Sequence, residues 1–154
     1  MQILRITALF FLLTGLSGCL ILPQKDPEPD QSLYWCPPLP NCASTEAITF
    51  VHSIRPYKLK MPMKEAWPLV QQSVKEMPRT TIEFEREGYI YAKTHSAVFH
   101  FVDYFEVLAV PEENRLQVRS SSLLGIWDVF VNYFRTEDFR GRLESKGVIE
   151  SIDS

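Results

Sequence analysis

Apolar and polar positions change rhythm several times along the chain, and each change marks an element. Over residues 64–77, Ala66, Val70, Val74 and Met77 recur at three- and four-residue intervals with Trp67 beside them, the stripe of an amphipathic helix. Pro68 fits such a helix only in or near its first turn, and Pro78 marks the stop. Residues 80–85 and 89–94 flank Arg86-Glu87-Gly88, a hairpin signal, and residues 48–54 have the composition of a strand.

The most informative alternation runs from 98 to 121. Phe99, Phe101, Phe105, Val107 and Ala109 share one face with Asp103, and Val98, His100, Val102, Tyr104, Glu106 and Leu108 share the other. A turn over 111–114 leads to a returning strand, 115–121, with Leu116 and Val118 on one face and Arg115, Gln117 and Arg119 on the opposite one. Pairing Val110 with Arg115 sets Val107 against Val118 and Glu106 against Arg119, so that both faces match; a slip of one residue spoils both. A cross-strand ion pair between Glu106 and Arg119 is expected. A last helix, from about 132 or 136 to 146, carries Phe139 and Leu143, an Asp138–Arg142 pair and Gly147 as its stop. Strand, helix, four strands, helix describes an α+β domain: a mainly antiparallel sheet of four to five strands with two helices packed on one face.

Ahead of these elements the pattern differs. Arg5 gives a positive start, residues 6–16 form an apolar run of signal-peptide length, and Leu16-Ser17-Gly18-Cys19 ends it with small residues. This tetrad resembles a bacterial lipobox, whose thiol takes a diacylglyceryl group before the leader is removed. The resemblance implies a lipoprotein signal peptide over 1–18, lipid on Cys19, and a periplasm-facing protein held to a membrane of the cell envelope. An uncleaved anchor over 6–22 is the alternative. It sits at the low end of the roughly 17–25 residues that a span needs, and glycines and hydroxyls interrupt it. More than one acyl chain makes attachment stable, at about 0.8 kcal/mol per buried methylene. Leu20 stands where an aspartate would be associated with inner-membrane retention, which points to the outer membrane in a host with two.

With Cys19 lipidated, Cys36 and Cys42 remain of the three cysteines, in Cys36-Pro37-Pro38-Leu39-Pro40-Asn41-Cys42. An exported chain meets an oxidising environment, and three prolines already stiffen the loop, so a disulfide is expected. A metal site would need further ligands, and His52, His95 and His100 show no paired spacing; a redox motif would need Cys-x-x-Cys. No metal and no cofactor is expected. Residues 19–42 read as a proline-rich tether ending in the disulfide loop, and 43–154 as a single domain. The net charge of −3 becomes −4 once Arg5 leaves with the leader, too acidic to gather phosphates; nucleic acid is not an expected partner.

The loop Cys36-Pro37-x-x-Pro40-Asn41-Cys42, then His52-x-Ile54-x-Pro56, Pro78-Arg79-Thr80 and Phe99-x-Phe101-Val102-Asp103 with Glu106, occur in that order. Arg119-Ser120-x-Ser122, Gly125, Asp128, Val131, Asn132 and Arg135 follow. This set resembles a bacterial and plant family known only as the domain of unknown function numbered 1499, over 36–143. The chain departs from that pattern at Tyr104, where the family tends to be acidic. It departs again at Leu123, Tyr133 and Phe134, where the family tends to be basic, and at Trp127, which replaces a small polar residue. The family carries no established activity, so the resemblance implies placement rather than chemistry.

Asp103 falls on an apolar face and must be paired or protonated there; Ser122 lies opposite it and Arg79 is within reach. It is either a buried pin or a general base. Ser120, Ser121 and Ser122 beside Arg119 lack a Gly-x-Ser-x-Gly elbow, and strand-end serines usually bond backbone groups. Residues 123–134 are apolar for a connection, and Trp127 and Tyr133 are candidates for an exposed binding patch. The expectation is a non-enzymatic envelope lipoprotein that binds an envelope protein or polymer, or serves as a structural module. The alternative is an envelope hydrolase or transferase using Asp103, Arg119, Ser122 or Asp128. A concave pocket joining Asp103, Arg119 and Asp128 favours chemistry; a convex apolar patch around Trp127 favours docking.

Overall fold

The alternation along 102–122 builds the centre of the molecule. A computed structural model describes residues 33–98, 100–125, 128 and 130–151. In it β3 (Thr80–Arg86), β4 (Tyr89–His95), β5 (Val102–Val110) and β6 (Arg115–Ser122) form an antiparallel meander. The β5–β6 register is the expected one, with Val110 opposite Arg115, Val107 opposite Val118 and Glu106 opposite Arg119. Two short strands share the far edge of β6: β1 (Cys42–Ser44) along 119–121 and β2 (Tyr57–Lys58) along 115–116. The sheet therefore has six strands in the order β1-β6-β5-β4-β3, with β2 beside β6, rather than four to five.

Two helices, α1 (Met63–Lys75) and α2 (Val131–Ser145), cover one face. Ala66, Val70 and Val74 of α1 and Phe139 and Leu143 of α2 share a buried core with Ile90, Ala92, Phe105, Val107, Leu116 and Val118 of the sheet. The other face holds a smaller cluster in which Tyr89, Tyr91 and Leu108 are joined by Leu33, Phe84 and Tyr104. A bulge between Ile82 and Phe84 lets β3 serve both, since one extra residue turns Ile82 toward the helices and Phe84 away.

Three local expectations change. Residues 48–54 form no strand. Ile48 and Phe50 are fully exposed, and the amides of His52 and Ser53 turn back onto the Thr49 carbonyl. Pairing stops at a single parallel bridge of Ser53 to Ser44 on the outer edge of β1, where the Ser44 amide meets the His52 carbonyl and the Ile54 amide meets the Ser44 carbonyl. The strand expected from 98 starts only at Val102, because His100 takes a left-handed φ of 53° and a loop closes between Ser96 and Phe101. Phe101 is consequently exposed instead of joining the Phe105 face, and Val98, expected on the opposite face, is exposed as well. Pro68 lies in the second turn of α1, not the first; it is exposed, where water can meet the carbonyl it leaves unbonded. No helix among the described residues is long and apolar enough to cross a membrane.

Candidate functional site

At one end of the sheet, α2 lays polar rather than apolar side chains on the strands. Asn132 and Arg135 stand one turn apart, so both face β5 and β6. Arg135 Nη2 donates to Asp103 Oδ2 at 2.6 Å, while its Nη1 donates to Ser120 Oγ at 2.9 Å and Asn132 Oδ1 at 2.7 Å. Ser120 Oγ donates to Asn132 Oδ1 at 2.6 Å. The Asn132 Nδ2 group donates to the Asn41 carbonyl at 2.9 Å, Ser122 Oγ at 2.9 Å and Asp128 Oδ2 at 2.6 Å. Asp128 also accepts the backbone amides of Phe130 and Asn132, capping the start of α2. Asn41, at the mouth of the disulfide loop, completes the knot by donating to the Gly125 carbonyl at 2.8 Å.

Asp103, Ser120, Ser122, Asn41 and Asn132 are all buried. The Arg135 guanidinium gives the buried Asp103 carboxylate an opposite charge and a hydrogen bond together. Arg79, the partner within reach on sequence grounds, instead donates from Nε to the His95 carbonyl. A hollow of about 240 Å³ lies beside the knot, lined by Arg79, Thr94, Val131, Arg135 and Asp138 among others. Arg79, His100 and Phe130 hold left-handed φ angles of 55°, 53° and 63° around this end, an uncommon conformation for residues with a Cβ.

Arg119 belongs elsewhere. It projects from the opposite face of the sheet, where Nη1 donates to Glu106 Oε2 at 2.6 Å, the expected cross-strand ion pair. The Tyr89 hydroxyl donates to the other Glu106 oxygen at 2.9 Å, and the Tyr34 ring lies over the guanidinium at 5.4 Å. Burial and the adjacent Glu106 carboxylate push the Tyr89 phenol well above its ordinary range. Arg119 is 1% exposed, and its Nε and Nη2 meet no hydrogen-bond partner among the described residues. Asp103 and Arg119 thus sit on opposite faces and do not share a pocket.

The Cys36–Cys42 disulfide is present and pins the loop to the start of β1. His52 is buried, donating from Nε2 to the Leu39 carbonyl at 2.8 Å and accepting the Thr49 hydroxyl at Nδ1, so it ties the 49–52 turn to that loop. Among the described residues no group of three potential ligands could hold a metal ion. Cys19 and Trp127 lie outside the described residues. Tyr133 is half-exposed and stacks edge-on with exposed Phe134, near exposed Phe130.

Sequence reading missed Arg135 as the partner of Asp103 and Asn132 as the hub. The signal was the i, i+3 spacing of the two, continued by Thr136, Phe139, Arg140 and Leu143 on the same buried face. It was hidden because a polar face on a helix ordinarily means solvent.

A family model described as protein of unknown function (DUF1499) matches residues 32–143. No curated protein and no solved structure matches the chain.

Proposed function

Because the chain belongs to the DUF1499 family, which prescribes no reaction, we propose a function from its own residues: a lipid-anchored module of the bacterial envelope that binds rather than catalyses. The observation that carries the anchor is Leu16-Ser17-Gly18-Cys19, a lipobox-like tetrad ahead of a domain closed by the Cys36–Cys42 disulfide. Such a bridge persists where thiols are oxidised, which suits an exported protein. Lipid on Cys19 then holds the domain at the membrane, with the outer membrane as its seat in a host that has two.

Binding is favoured over hydrolysis or group transfer by where the polar groups point. The Ser120 and Ser122 hydroxyls bond to Asn132, not to a histidine that could act as base. Asp103 is engaged by Arg135, and Asp128 caps α2. These groups tie β5, β6, α2 and the disulfide loop together. Partners of envelope type, protein or polymer, would meet the exposed aromatic side chains Phe130, Tyr133 and Phe134.

Growth with radiolabelled palmitate tests the anchor. The wild-type chain takes up label and fractionates with membranes, and the Cys19→Ser variant takes up none. An unlabelled wild-type chain would remove the basis of this reading.

A further inference from the structure

The exposed apolar side chains are not spread evenly over the molecule. Val98 and Phe101 lie in the loop between β4 and β5, and Phe130, Val131, Tyr133 and Phe134 at the start of α2; each is between 38% and 76% exposed. Both segments sit at the Ser122 end of the sheet. The loop closes onto Val102, whose carbonyl accepts the Leu123 amide, and the start of α2 is held there by the Ser120 and Ser122 hydroxyls on Asn132. Ile48, Phe50 and Val51 are exposed in the turn that His52 ties to the disulfide loop, and Trp35 adjoins that loop. At the other end, the β3–β4 and β5–β6 turns present Glu87, Glu112 and Glu113 to solvent, and none of the exposed large apolar side chains among the described residues lies there.

Charge is divided the same way. Residues 36–42, 96–101 and 130–134 contain no carboxylate. Asp103 and Asp128 beside them are engaged, by Arg135 and by the first amides of α2. Arg79 is the cation at this rim. Its Nε donates to the His95 carbonyl at 3.0 Å, and its Nη1 and Nη2 meet no partner among the described residues. A chain of net charge −3 thus offers an anionic surface one rim that does not repel it. The 14 residues from Cys19 to Ser32 span at most about 46–50 Å, at roughly 3.3–3.6 Å each. A domain of this length is about 35 Å across, so any of its faces can reach a membrane that holds Cys19. The character of the face then decides which one does.

We propose that this end of the domain rests on an anionic phospholipid bilayer, with Val98, Phe101, Phe130 and Phe134 at the boundary of headgroups and acyl chains and Arg79 at the level of the phosphates. Buried apolar area and attraction to anionic lipid together set the strength of such interfacial contacts, and aromatic rings suit that depth. The contact rests on the membrane attachment read above. It names the bilayer as the partner of the exposed aromatic side chains, ahead of a protein or polymer. The acidic turns at the other end then face away from the lipid.

The test uses full-length, ²H,¹⁵N-labelled protein in nanodiscs of phosphatidylcholine and phosphatidylglycerol, with and without a lipid spin-labelled on its acyl chain. The readout is the broadening of assigned backbone amides by the label. The amides of Val98, Phe101, Val131 and Phe134 lose most of their intensity, whereas those of Glu87 and Glu112, a domain's width away, keep theirs. Tyr133→Gln/Phe134→Gln removes the contrast while the Val107 and Val118 resonances of the core stay in place; Val98→Asn/Phe101→Asn does the same should the helix variant fail to fold. Arg79→Gln weakens the contact about fivefold in the anionic discs, the contribution of one basic side chain near such a surface, and leaves it unchanged in phosphatidylcholine alone. Equal broadening at both ends, stronger broadening of Glu87 and Glu112, or a contrast that survives both double variants overturns the proposal. Broadening at neither end overturns it too, and leaves the aromatic side chains to a protein or polymer. Intact mass and co-flotation of the same samples report the attachment separately. A variant that floats with the discs but has lost the contrast tells failure of the contact from failure of the anchor.

Discussion

Asp103→Ala is the sharpest probe of whether the polar knot is scaffold. The substitution removes a carboxylate that is 2% exposed and leaves the Arg135 guanidinium, with 10% of its side chain exposed, without its ion-pair partner. Breaking a buried pair from one side costs about 3–5 kcal/mol. Arg135 keeps its bonds to Ser120 and Asn132, so the lower end of that range applies, about 3 kcal/mol. Against a total stability of about 5–15 kcal/mol the variant stays folded. In urea, at a slope of about 1.5 kcal/mol/M, its midpoint falls by about 2 M. The double variant Asp103→Leu/Arg135→Met removes both charges and recovers most of the loss, since apolar replacement of a buried pair is often neutral. Equilibrium unfolding followed by circular dichroism reads all three proteins. A cost under about 1 kcal/mol for Asp103→Ala would falsify the scaffold role and return the carboxylate to the list of groups free for chemistry.

Other outcomes follow from the same geometry. Tyr34→Ala uncovers Arg119 and removes a cation–π contact, lowering stability by about 1–2 kcal/mol in the same unfolding assay; no change would mean that residue 34 does not hold the outer face. Cys36→Ser/Cys42→Ser reopens a short loop, and chain entropy sets the loss at about 2 kcal/mol, to be read as a lower thermal midpoint that matches the effect of reductant on the wild type. Burial raises the phenol pKa of both Tyr57 and Tyr89, with Arg140 opposing the shift at Tyr57 and Glu106 adding to it at Tyr89. Each folded pKa stands above its unfolded value, so the stabilisation is complete below about pH 10 and is lost as pH rises beyond it. Unfolding at pH 9, 10 and 11 should show that decline, reduced in Tyr57→Phe; a flat profile contradicts it.

How far the fold can be read from sequence depends on what each segment answers to. The β5–β6 register was legible because two patterns had to agree at once: Val107 with Val118 in the core and Glu106 with Arg119 across the other face. α1 was legible from the spacing of Ala66, Val70 and Val74 alone. Residues 48–54 misled because strand composition does not show the turn in which the His52 and Ser53 amides bond to the Thr49 carbonyl, which leaves only a single bridge of Ser53 to Ser44. The strand ahead of Val102 misled because one left-handed residue, His100, breaks an alternation that composition continues. In the polar cluster, Asp103 and its neighbour Ser122 were found from the strand faces. Arg135 was not, since its contact depends on where α2 docks, and docking is set by Phe139 and Leu143 further along the helix.

The anchor is the point on which compartment, disulfide and partner class all turn. Intact-mass spectrometry of the protein purified from membranes of its own host tests it directly. A chain beginning at Cys19, heavier than its residues by a diacylglyceryl group, and two hydrogens lighter for the Cys36–Cys42 bridge, is the predicted species. A mass that matches the unmodified chain from Met1, with a free thiol at Cys19, would contradict it.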